Sequence, residues 1–112
     1  MEMKELTFTF EGSKYTLAFN RKTVQMLSRS GFRTDMISDQ PAIGIPMLFR
    51  GAFMVHHRMI KEDLTDRIWK AVPDKDKFLS KLVEMYLEPI NDLLADPEED
   101  DEAKKIEWGA NF

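Results

Sequence analysis

Apolar and polar positions alternate in two short runs near the start of the chain. Leu6-Thr7-Phe8-Thr9-Phe10 and Tyr15-Thr16-Leu17-Ala18-Phe19 change face at nearly every residue, the period of a half-buried strand. Glu11-Gly12-Ser13-Lys14 lies between them and supplies the glycine of a tight turn, so the pair predicts a β-hairpin. Leu6, Phe8 and Phe10 then share one face with Tyr15, Leu17 and Phe19, while the other face is rich in threonine and suits water. A lone hairpin is marginal, so its apolar face is expected to pack on helices.

From Asn20 onward the apolar spacing turns helical. Asn20 is a good N-cap for a helix over 21–30 that carries Val24, Leu27 and Ser28 on one face with Met26 alongside, and Gly31 ends it. Residues 33–40 read as a connector with short helical content. Pro41, Gly44 and Pro46 mark the entry to a central helix predicted at Pro46–Arg58. Met47, Leu48, Phe49, Ala52, Phe53, Met54 and Val55 make that helix apolar on most faces, as expected of one enclosed by other elements or by another subunit. A further helix over 61–72 carries Leu64, Ile68 and Trp69 and stops at Pro73. The last begins at Asp74 or Asp76 and runs a wide apolar stripe from Phe78 to Leu94, with a kink or break expected at Glu88, before Pro89. The prediction is one α+β domain over residues 1–95: an N-terminal β-hairpin packed on about four α-helices, followed by an acidic tail over 96–112.

Charge makes the same division. The 112 residues carry a net charge of −4, but 96–112 hold seven acidic side chains and two lysines, −5 in all. Residues 1–95 are therefore near neutral at +1. Pro97 followed by a run of acids reads as a solvated linker. It leads to Ile106-Glu107-Trp108-Gly109-Ala110-Asn111-Phe112. Two routes would take Trp108 and Phe112 out of water: folding back on the body, or docking as a short linear segment into another chain.

Composition removes several kinds of chemistry. Cysteine is absent, so disulfides, thiolate metal sites and a cysteine nucleophile are excluded. The opening Met1–Glu5 lacks the apolar stretch of a secretory signal. The longest apolar run, Ile43 to Val55, is shorter than the roughly 20 residues a membrane helix needs, so no membrane partner is expected. His56 and His57 are adjacent and point about 100° apart on a helix, which does not suit one shared metal. A structural role at a helix end is expected for them. Glu62, Asp63 and Asp66 sit where acids stabilise a helix start, and phosphate-cradling glycine loops are missing. Lys14, Arg21, Lys22, Arg29 and Arg33 form a basic strip, but the net negative charge argues against nucleic acid. Arg50 interrupts an apolar run, where it either snorkels to the surface or anchors an acidic segment. Eight methionines fill core gaps or supply an adaptable binding surface. No enzymatic activity, cofactor or metal is expected.

Four segments, in order, carry a resemblance. They are Lys4-Glu5-Leu6-Thr7-Phe8-Thr9-Phe10-Glu11-Gly12-Ser13-Lys14-Tyr15-Thr16-Leu17 with Phe19-Asn20-Arg21; Leu48-Phe49-Arg50-Gly51-Ala52-Phe53 with His56-His57; Leu82-Val83-Glu84-Met85-Tyr86 with Glu88-Pro89; and Trp108-Gly109-Ala110-Asn111-Phe112. Together they resemble the small tail assembly chaperones of long-tailed, siphovirus-type phages and prophages of Gram-positive bacteria. The resemblance implies a non-enzymatic helper of virion morphogenesis in the host cytoplasm, absent from the mature virion. Its implied partners are the tape measure protein, which it would keep soluble, and the tail tube protein, which it would help recruit. Self-association is a further expectation. The central helix and the Phe78–Leu94 helix are expected to border the partner groove. Phe49, Arg50, Phe53, Met54, Tyr86, Trp108 and Phe112 are the candidate partner-binding residues. The competing expectation is a phage-encoded acidic adaptor or inhibitor that binds a host protein through 96–102 by mimicking nucleic acid.

Overall fold

A computed structural model of the chain describes residues 4–97 and 106–112. Strands β1 (Glu5–Phe10) and β2 (Ser13–Ala18) pair antiparallel, with Leu6 opposite Leu17 and Phe8 opposite Tyr15. The predicted apolar face therefore forms, and Thr7 and Thr9 are exposed on the other. The turn is only Glu11 and Gly12, whose φ angles of 49° and 82° give the geometry that matches strand twist. Ser13 and Lys14 belong to β2.

Helix α1 (Arg21–Arg29) starts and stops on side-chain and backbone caps. Asn20 Oδ1 accepts from the Thr23 amide at 2.8 Å, and the Asn20 amide donates to Thr23 Oγ1 at 2.9 Å. At the other end Gly31 takes φ 100°, a left-handed conformation that glycine adopts without a Cβ penalty. The Phe32 amide then donates to the Leu27 carbonyl and the Gly31 amide to the Ser28 carbonyl, both at 3.0 Å. This reversal returns Phe32 to the core.

Four more helices follow: α2 (Met36–Asp39), α3 (Pro41–Ala52), α4 (Glu62–Ala71) and α5 (Lys75–Leu94). Among the described residues the fold is α+β, a hairpin followed by five helices, the extra one being the four-residue α2 inside the predicted connector. The central helix lies earlier than the predicted Pro46–Arg58. Pro41 occupies its first turn, where a missing N–H costs nothing, and Pro46 is carried inside it. It ends at Ala52 because the chain beyond is tied to the hairpin. His57 Nε2 accepts from the Thr16 amide at 3.0 Å, and His56 Nε2 lies 2.9 Å from Glu5 Oε2. Helix α5 runs unbroken through Pro89 to Leu94, so the break expected at Glu88 is absent. The linker expectation for the acidic run concerns residues 98–105, which lie outside the described residues.

All four other helices touch α3, which is why it is apolar on so many faces. Phe53, just past its end, is fully buried. Its ring meets Phe49 at 5.1 Å, Tyr15 at 6.0 Å and Phe8 at 6.4 Å, all near edge-on, the favoured arrangement for aromatic pairs. A second aromatic centre joins α5 to α1: Tyr86 stands edge-on to Phe19 at 5.4 Å and to Phe32 at 5.1 Å. Burial pushes the Tyr86 phenol above its ordinary value, with Ser28 opposing. Gly51 lets α1 and α3 approach closely. A Cβ there would meet Leu27 Cδ1 at 2.5 Å, inside van der Waals contact.

Two outcomes follow from this packing. Phe53→Ala is expected to lower unfolding free energy by about 3–5 kcal/mol in urea titrations. Met59→Ala, at a side chain 92% exposed, should change it by less than about 0.5 kcal/mol. The second outcome concerns Lys4, which bridges Glu84 at 2.9 Å and Glu88 at 3.2 Å and so ties β1 to α5. Hydrogen bonding to Glu84 raises the Lys4 pKa above 10.5, and the same bond lowers that of Glu84 below 4.5. A raised lysine stabilises below its unfolded value, and a lowered carboxylate above its own. The stability difference between the native protein and Lys4→Ala should therefore be full from about pH 5 to pH 10. It should shrink as acid protonates Glu84, which thermal melts at pH 3 and pH 7 would compare.

Candidate functional site

The predicted partner residues separate into core, bridge and exposed segment. Phe49, Phe53 and Tyr86 are buried and build the body; none faces solvent as a binding surface. Phe49 of the central helix packs against Phe78 of α5 at 6.0 Å across the boundary where the partner groove was expected. Sequence periodicity identified these residues as apolar and spaced on faces, but a face that meets another helix and one that meets a partner look alike in sequence.

Arg50 does not simply snorkel to the surface. Its guanidinium reaches Glu62 Oε1 at 2.8 Å and Asp66 Oδ1 at 3.2 Å, joining α3 to α4. Its Nε is buried without a hydrogen-bond partner. The acids at the start of α4 thus serve both the helix dipole and this bridge. The two histidines do not converge on one point. His56 secures the start of β1 and His57 the outer edge of β2, so both act on the hairpin and not at the end of a helix. To accept from Thr16, His57 Nε2 must be unprotonated, with the ring proton on Nδ1.

Trp108 is 86% exposed and Phe112 is fully exposed, so the fold-back arrangement is not adopted in this structure. Met54 is half-buried.

Among the described residues, three open grooves on the body are large and apolar enough to bear on binding. The first lies between α3 and α4, about 240 Å³, with Pro46, Phe49 and Trp69 as its apolar wall and Arg50, Asp66 and Lys70 as its polar side. The second, about 350 Å³, runs along β1 between Leu6, Phe8 and Phe10 on one side and Ile68, Val72 and Phe78 on the other. No charged residue lines it. The two-residue turn makes Phe10–Ser13, Phe8–Tyr15 and Leu6–Leu17 the mutually bonded pairs. The backbone groups of Thr7 and Thr9 consequently point away from β2, leaving a free strand edge beside this groove. The third, about 340 Å³, lies between the start of α1 and the turn after α3 and is lined by Lys22, Met26, Met54, Val55 and Arg58 among others. Sequence reasoning named only Met54 of this group as a partner residue. Met26 falls beside, and not on, the Val24–Leu27 stripe of α1, which was the available signal for its exposure.

Among the described residues, no group of three or more His, Asp or Glu side chains is placed to hold a metal ion. No helix among them is long and apolar enough to cross a membrane.

The chain belongs to the family described as a domain of unknown function (DUF5055), whose match covers residues 2–112. No curated protein and no solved structure matches it.

Arg50→Met is expected to shift unfolding free energy by less than about 1 kcal/mol. It removes two largely exposed ion pairs but also removes a buried, unpaired Nε. Chemical denaturation would measure this, and a loss above about 2 kcal/mol would mean the bridge holds α3 to α4.

Proposed function

We propose that this protein is a tail assembly chaperone of a long-tailed phage or prophage. In this reading it binds the tape measure protein before the tail tube polymerises, keeps it soluble and helps recruit tail tube subunits. It acts in the host cytoplasm and is left out of the mature virion. The reading rests on the ordered resemblance of four segments and on one structural observation, the uncharged groove beside the free edge of β1. A long helical client has an apolar stripe to hide, and a groove lined by Leu6, Phe10, Val72 and Phe78 offers it a matching surface. Charged side chains cover much of the rest of the body, which keeps such a complex in solution.

Co-expression tests this directly. The soluble fraction of a tape measure protein encoded in the same genome should rise when this chain is present. Val72→Glu, which places charge in the groove, should return it to the level of the client alone. Unchanged client solubility with the native chain would overturn the reading. Replacing the acids of 96–102 by Asn and Gln should leave client solubility intact. If that change instead abolished capture of a basic host protein, the acidic adaptor would be the better account.

A further inference from the structure

We propose that the Ile106–Phe112 segment of one copy docks into the methionine-lined groove of a second copy. The groove has an apolar floor of Met26, Met54 and Val55, with Lys22 and Arg58 at its rim. Met26 is 44% exposed although it is a large apolar side chain. Neither Lys22 nor Arg58 lies within ion-pair distance of a carboxylate among the described residues, and α1 contains no acid at all. The groove thus joins adaptable thioethers to uncompensated positive charge.

The segment offers the opposite character. Ile106, Trp108 and Phe112 stand exposed, and residues 96–112 carry −5. Thioethers make favourable contacts with aromatic rings, and a cationic rim attracts the acids that precede those rings. Charge also separates this groove from the other two described above. The β1 groove has no charged lining. In the α3–α4 groove Arg50 is already engaged by Glu62 and Asp66, which would repel an acidic chain. The α3–α4 groove also carries Lys70, but beside Asp66; the methionine groove sets two cations around an apolar floor with no carboxylate in its lining.

Exposure points to a second copy as the groove's owner, since Ile106, Trp108 and Phe112 are not seated in the groove of their own chain. The connection over residues 95–105 can extend to at most roughly 40 Å. A body of this size is about 30 Å across, so the segment of one copy can reach the groove of its neighbour. The two surfaces differ, which makes the contact heterologous. Each added copy leaves one groove and one segment unfilled, so association is open-ended and grows with concentration. This inference concerns the chain alone and does not depend on the identity of any client.

Sedimentation velocity on the full chain and two variants tests it. One variant, Lys22→Glu with Arg58→Glu, disables the groove; the other, Trp108→Ala with Phe112→Ala, disables the segment. All four positions are exposed, so circular dichroism should show native folds. The native chain should gain mass with concentration and lose affinity at least roughly tenfold between 0.05 and 0.5 M salt. Each variant alone should stay monomeric. Mixing the two should form a one-to-one complex, because one intact groove then meets one intact segment. A native chain that stays monomeric at all concentrations would overturn the proposal. So would variants that associate like the native chain, or a mixture that forms no complex. Monomers in which Trp108 fluorescence is buried in a Lys22-dependent way would place the segment in its own groove and overturn the second-copy assignment.

Discussion

The ring of Phe53 is fully buried where β1, β2 and the end of α3 converge, and the helix it caps is touched by every other helix. Burying a phenylalanine contributes about 1.5–3 kcal/mol through transfer alone, before edge-on contacts with Phe8, Tyr15 and Phe49 are counted. A two-stranded hairpin cannot hold itself together in water, so its existence depends on this site. The same dependence explains why α3 stops where it does. The chain after Ala52 leaves the helix to carry His56 and His57 to the two strands. Without those contacts the hairpin's outer edge would keep an unpaired Thr16 amide.

Fixing the hairpin on one end of α3 also decides what the surface offers. With β2 covered by His57, β1 becomes the free edge, and the corner between α4 and α5 closes beside it to form an uncharged groove. On another side, the turn that follows α3 brings Met54 and Arg58 against the start of α1. Two of the body's apolar recesses thus differ in electrical character. One is neutral and flanked by backbone donors and acceptors, suited to an apolar stripe. The other is cationic and flexible, suited to an acidic segment with aromatic ends.

A protein with separate recesses for a long client and for its own kind would coat that client in many copies. Under the proposed function, this is a physical reason for the chain to carry an exposed aromatic segment instead of burying it. The proposed docking of Ile106–Phe112 would form and break without disturbing the core, because Phe53, Tyr86 and their neighbours lie elsewhere. Weak, repeated contacts also allow displacement when a competing polymer grows on the same client.

Local patterns in the chain were enough to place the hairpin and its apolar face, the Asn20 cap, the Gly31 reversal and the approximate extent of α4 and α5, but not the two-residue turn that sets the register. Each depends on neighbours within a few residues: alternation at period two, a side chain reaching the next turn, a glycine at positive φ. The bounds of α3 were not legible, because its end is set by His57 reaching Thr16 across forty-one residues of sequence. Nor was the role of Phe49, Phe53 and Tyr86, since apolar spacing states that a face must be covered but not by what. Arg50 shows the same limit: its partners Glu62 and Asp66 stand on the next helix and become neighbours only once α3 and α4 pack. Which apolar residues stay in contact with water is a property of how elements meet. Only the tertiary structure could separate Met26 from Leu27, adjacent in the chain, one open to solvent and the other buried.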